Sequence, residues 1–115
     1  MTREKTNVSD LLTTRLGELR SLFGSAISAA LGVEFKDLEA FDGGAPPTNT
    51  VARRILDLSY VVGYTLLVMD RREARAWFLE PEVLLGNRVP INVLREHGIS
   101  EVLSAIVGIG AGILF

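Results

Sequence analysis

The chain has no cysteine and a single histidine, His97. Without thiols there is no disulfide, no thiol nucleophile and no thiolate metal ligand, and a zinc site with one imidazole would depend mostly on carboxylates. Long apolar runs are also missing. The stretch from Val102 to Phe115 has no charged side chain, yet it falls short of the roughly 18 to 20 residues a spanning helix needs, so no membrane partner is expected. The polar start, Met1 to Asn7, lacks the apolar stretch and cleavage site of a secretory signal, which makes the cytoplasm the expected compartment. Neither charge sign dominates: 12 basic and 14 acidic residues leave a formal net charge of −2.

What remains is apolar and patterned. At 115 residues, 48% hydrophobic and 23% charged, the composition is that of one compact soluble domain or two very small ones, and not of a disordered segment. Val8, Leu11, Leu12, Leu16, Leu19 and Phe23 recur at helical spacing and predict a first helix from Ser9 to about Leu22. Ala26 to Leu31 reads as a brief second helix stopped at Gly32, where a left-handed residue is needed. Phe35, Leu38 and Phe41 form the apolar stripe of a third helix, ended by Gly43-Gly44. Two short helices around a glycine-containing turn have the sequence shape of a helix-turn-helix.

After the loop Ala45 to Asn49, which Asn49 or Thr50 can close as a cap, Val51, Ile55, Leu58, Val62 and Leu66 predict a long helix. Tyr60, Val61, Tyr64, Leu67 and Val68 make it apolar nearly all round, so it is either central or covered again by a partner. Asp70 can cap a helix that stops before Pro81. Pro81 and Pro90 suit helix starts, Gly86 and Gly98 suit helix ends, and Ser100 can cap a last helix from about Glu101. No strand signal competes, which makes the fold class all-α. The loop from Gly43 to Asn49 divides a helix-turn-helix-like segment, residues 1–45, from residues 46–115.

No motif for chemistry emerges. Gly108-x-Gly110-x-Gly112 ends the chain, whereas a dinucleotide fingerprint follows a strand and opens a helix. No nucleophile or paired carboxylate accompanies His97, and Ser100 and Ser104 fit caps and helix packing. The expectation is a non-enzyme without cofactor or metal, an all-helical interaction protein. For DNA, the segment from Glu34 to Asp42 carries Glu34, Asp37, Glu39 and Asp42 against Lys36, a poor match to a phosphate-lined groove. Lys36, Thr48, Asn49, Arg53 and Arg54 are the residues that can reach phosphates if dimerisation doubles them. The cluster Arg71, Arg72 and Arg75 is either a solvated face answered by Glu73 and Glu80 or a contact to an acidic protein surface. Trp77 and Phe78 suit the core, with an interface anchor as the alternative for Trp77.

The C-terminal part carries Trp77, Pro81, Leu84, Gly86, Pro90, Leu94, Gly98, Val102, Ile106 and Gly110 in the order A-x-x-W, proline, L-x-G-x-x-x-P-x-x-x-L, glycine, then a V-x-x-x-I helix with a late glycine. This pattern resembles the toxin-binding domain of the MbcA/ParS/Xre antitoxin family, over about the last 45 residues. Residues 25–41 resemble more loosely the degenerate helix-turn-helix of such antitoxins. Two positions depart from the family: Glu82 stands where an asparagine is usual, and Arg95 where a second leucine often follows Leu94.

The resemblance implies an antitoxin whose cognate partner is a RES-domain toxin that depletes NAD, with possible autoregulation through operator DNA. The same reading makes the chain a homodimer within a hetero-oligomeric toxin–antitoxin complex. The residues assigned to toxin contact are Trp77, Arg88, Gly108, Ile109, Gly110, Ala111, Gly112, Ile113, Leu114 and Phe115, the last eight as an apolar plug for the toxin's active site. Alternatively, they finish the core against the long helix. Two rival functions stay open: a stand-alone helix-turn-helix DNA-binding regulator, and a minor helical subunit of a catalytic complex.

Overall fold

The computed structural model describes residues 8–112. It is all-helical: α1 (Val8–Phe23), α2 (Ile27–Leu31), α3 (Phe35–Asp42), α4 (Asn49–Val68), α5 (Arg71–Leu79), α6 (Pro90–His97) and α7 (Ile99–Gly110), with 3-10 turns at Gly24–Ala26 and Val83–Leu85. Among the described residues the only strand-like pairing is one isolated antiparallel bridge between Glu82 and Arg88. No helix among them is long and apolar enough to cross a membrane.

The helix ends follow from local chemistry. Gly32 closes α2 in the left-handed conformation (φ 67°), as the sequence predicts. Asp70 accepts from the Glu73 amide at 2.8 Å while Glu73 reaches back to the Asp70 amide, a reciprocal cap that satisfies two amides at the helix start. Two expected caps move. The α4 cap is Thr48, whose hydroxyl accepts from Val51 N at 3.1 Å, and not Asn49 or Thr50. The last helix starts at Ile99 with Gly98 (φ 84°, ψ −168°) as the hinge between α6 and α7, so Ser100 is already helical and caps nothing.

α4 is the spine. Val51, Ile55, Leu58, Val61, Val62 and Thr65 are its buried face, packed between α1 on one side and α7 on the other. Thr65, fully buried, donates its hydroxyl to Val61 O at 2.7 Å, so its burial leaves no orphaned polar atom. α1 contributes Leu12, Leu16, Leu19, Leu22 and Phe23, and α7 contributes Val102, Ala105 and Ile106. Phe23 and Phe78 meet edge to face at 5.8 Å, tying α5 to α1, and within α5 Trp77 stacks edge-on to Phe78 at 5.1 Å. One buried core therefore takes side chains from both sides of the 43–49 loop. Arg20 adds a bidentate pair to Asp42 (2.9 and 2.6 Å) that joins α1 to the end of α3 and holds the Asp42 carboxyl below its usual range.

Four stripe residues depart from expectation: Val8 and Leu11 on α1 and Leu66 on α4 are exposed, and so is one residue of α3. Leu38 and Phe41 are buried, but Phe35 is 66% exposed. A spacing of three turns the helix about 300°, so the side chains drift by about 60° per step and Phe35 falls beyond the edge of the core.

Candidate functional site

The segment between α5 and α6 is organised by one carboxylate. Glu82 is 8% exposed. Its Oε1 accepts from the Trp77 indole Nε1 at 2.6 Å and its Oε2 from Leu84 N at 2.8 Å, while its backbone exchanges bonds with Arg88 O and Asn87 N. Gly86 (φ 67°) and Asn87 (φ 64°) supply consecutive left-handed residues that reverse the chain. The carboxylate at this position does the work of an acceptor for tryptophan and turn alike. The half-buried Trp77 is therefore held by its polar handle as well as by Phe78.

Arg88 locks this turn onto α7. Its Nε donates to Leu85 O at 2.6 Å and its Nη2 to Glu101 Oε2. The guanidinium, with a smaller contribution from His97, holds the Glu101 carboxyl below the ordinary carboxylate range. Since the folded value is depressed, the pair's stabilisation is fully present above the unfolded carboxylate pKa, about 4.3, and is lost as pH falls through the lower folded value. The Arg88→Ala variant is expected to return Glu101 to the ordinary range in a carbon-13 NMR titration; an unchanged Glu101 midpoint would contradict this assignment.

Beside the lock lies a shallow groove of about 280 Å³ lined by Leu84, Leu85, Ser100, Ser104, Ala105 and Gly108. Ser100, Ser104 and Gly108 are one turn apart and give α7 a small-residue face along this groove. Val83 (62% exposed) and Val107 (58% exposed) stand out as apolar residues on the 83–85 turn and on α7. Hydrophobic periodicity cannot identify such residues, because in sequence Val83 and Val107 look like core.

The plug residues fall into two groups. Gly108 is buried and Gly110 occupies the last turn of α7, where a Cβ would come 2.8 Å from Val68 Cγ1. Gly110 thus allows the end of α7 to lie close to α4, while Gly108 lines the groove beside Leu84 and Leu85. Ile109 is half-buried, Ala111 exposed, and Gly112 adopts a left-handed φ of 73° in the turn after the helix. Ile113, Leu114 and Phe115 lie outside the described residues.

A second surface is apolar and open. α4 and α1 flank a groove of about 950 Å³ whose walls include Leu11, Leu22, Leu56, Tyr60, Gly63 and Leu66, and whose rim carries Arg15 and Glu18. Tyr60 and Tyr64 pack edge to face at 5.3 Å on the solvent side, and Leu67 is 79% exposed. The all-round apolar character of this helix in the sequence thus corresponds to one buried face and one open one.

The five candidate DNA residues separate. Lys36 pairs with Glu34 at 3.2 Å on an exposed face. Thr48 is spent as the α4 cap and Asn49 is its exposed first residue. Arg54 donates to Leu31 O at 3.2 Å and Gly32 O at 3.5 Å, while Arg53 has no partner among the described residues. Only Arg53 and Arg54 line a common cleft, and they share it with Arg95.

No family model matches the chain. Over 71 residues it is 28% identical to the mycobacterial cidal antitoxin MbcA of Mycobacterium bovis and of Mycobacterium tuberculosis. The chain is thus similar in sequence to MbcA. The match takes in 62% of this chain and 63% of the length of these curated relatives. The fold agrees over a longer stretch: a chain from the crystal structure of the M. tuberculosis MbcT–MbcA toxin–antitoxin complex superposes with a TM-score of 0.73, covering 90% of this chain and 96% of that one at 20% identity. The likeness of fold accordingly extends beyond the C-terminal pattern to most of the N-terminal helices.

Proposed function

We infer that this chain is the antitoxin of a toxin–antitoxin pair and acts by binding its toxin directly in the cytoplasm. The observation that carries this reading is the similarity in sequence to MbcA, an antitoxin, together with the likeness of fold to a chain of a toxin–antitoxin complex. The site fits a protein that works by occlusion. Its built features are a rigid lock, Trp77–Glu82 and Arg88–Glu101, and a small-residue face on α7 that allows close approach of a partner backbone.

In this reading the toxin is a RES-domain enzyme that consumes NAD. Trp77, Arg88 and the α7 groove form the platform, and residues 108–115 enter the toxin's active site. The open α1–α4 groove is the contact between two copies, with Arg15 and Glu18 on its rim able to pair across a twofold axis.

Co-expression with the product of the adjacent gene tests the reading. The two proteins are expected to co-purify, and cellular NAD to fall only when this chain is withheld. Separate elution together with NAD levels indifferent to this chain would overturn it.

A further inference from the structure

The arginines of this protein divide by what answers them. Arg15, Arg20 and Arg88 each face a carboxylate, Glu18, Asp42 and Glu101. Arg53, Arg54 and Arg95 do not, although all three line one cleft of about 230 Å³ between α2, α4 and α6. Arg54 spends Nη1 on the carbonyls that end α2, and Arg95 gives Nη2 to the neutral Asn92 Oδ1 at 3.0 Å. Arg53 has no partner among the described residues. Asp57 is the one acid lining the cleft, and no ion pair joins it to any of the three.

The convergence is built into the backbone. Gly32 holds φ 67°, and the point where its Cβ would sit is 2.7 Å from Arg54 Nη1 and 3.0 Å from Arg95 Nη1, with Arg95 Cδ nearer still. A side chain at residue 32 would thus collide with both arginines. The missing side chain lets two guanidiniums lie beside each other, an arrangement of like charges that favours an anion between them. Arg54 keeps its Nε and Nη2 donors free, and Arg53 keeps all of its own.

We propose that the Arg53–Arg54–Arg95 cleft is a binding site for a phosphate group, either inorganic phosphate or the terminal phosphate of a small metabolite. Planar forks with several free donors match the tetrahedral oxyanion, and the volume suits one such group with its immediate substituent. A duplex is disfavoured as the ligand, because the donors converge into a concave cleft while residues 34–42 set four acids against Lys36 and the chain's net charge is −2.

The test is calorimetric titration of the full chain with inorganic phosphate and, separately, glycerol 3-phosphate, in chloride buffer of matched ionic strength. Saturable one-site binding is expected. Arg53→Gln and Arg95→Gln should each weaken it roughly tenfold to a hundredfold, the effect of removing a hydrogen bond to a charged group. Asp57→Asn should tighten it, and Arg75→Gln, on α5 and outside the cleft, should leave it unchanged. Tighter binding of glycerol 3-phosphate assigns the site to an esterified phosphate, and tighter binding of inorganic phosphate to the free ion. No saturable binding of either probe, binding indifferent to both cleft variants, or a response to a short DNA duplex alone would overturn the proposal.

Discussion

Removing residues 111–115 is expected to abolish toxin neutralisation while leaving the fold intact. The cut falls just after Gly110, the last residue of α7, so the residues that seat this helix on α4, Val102, Ala105 and Ile106, are all retained. Helicity by circular dichroism and the thermal midpoint should therefore match those of the full chain. The deleted segment is apolar, and apolar anchors inserted in a partner's pocket commonly contribute 2 kcal/mol or more, so the dissociation constant for the toxin should rise about thirtyfold or beyond. A truncated chain that still neutralises would transfer occlusion to the α7 groove and the 83–89 turn. In that case residues 111–115 would have no part in it.

Replacing Phe78 by alanine has the largest expected effect on stability. Phe78 is fully buried, joins α5 to α1 through its edge-to-face contact with Phe23 at 5.8 Å, and supports its neighbour Trp77 at 5.1 Å. Truncation removes the buried ring and leaves a cavity walled by α1 and α5, with an expected cost of about 3 to 5 kcal/mol. That is a large share of the 5 to 15 kcal/mol typical of a domain this size. Urea unfolding should show the midpoint falling with little change in slope. Loss of the Phe78 anchor also frees Trp77 and hence the Glu82 turn, so toxin binding should weaken in the same variant. A midpoint within the error of the parent chain would contradict the placement of α5.

The helices were legible because their signals are local. Periodic leucines define α1, Gly32 stops α2, Asp70 and Glu73 open α5, and Pro90 and Gly98 bracket α6, each within a turn of the residues concerned. The misplaced caps of α4 and α7 show the limit of that reasoning. Several adjacent residues can cap in principle, and the choice falls to the backbone path, such as the one-residue hinge at Gly98. The exposed Phe35 shows another limit, since a stripe predicts a face but not how wide the core beneath it is.

The candidate site was less legible because it is assembled across the chain. Glu82 looked like a departure from the family pattern. Its value as the acceptor for Trp77 and Leu84 exists only once the 82–88 turn has closed. Arg95, the other departure, is an exposed residue whose significance comes from Arg54 and Gly32, far away in sequence. Arg88 was singled out from the sequence, but its partner Glu101 was not, since nothing local links a turn residue to the first turn of α7.

The most direct test of the antitoxin reading, with the toxin proposed to consume NAD, is titration of the purified cognate toxin's activity with this chain. The account predicts inhibition with a sharp equivalence point and competition with NAD, reflecting occupation of the active site. Full toxin activity in the presence of excess chain, or inhibition that NAD cannot relieve from a complex whose active site remains open, would contradict it.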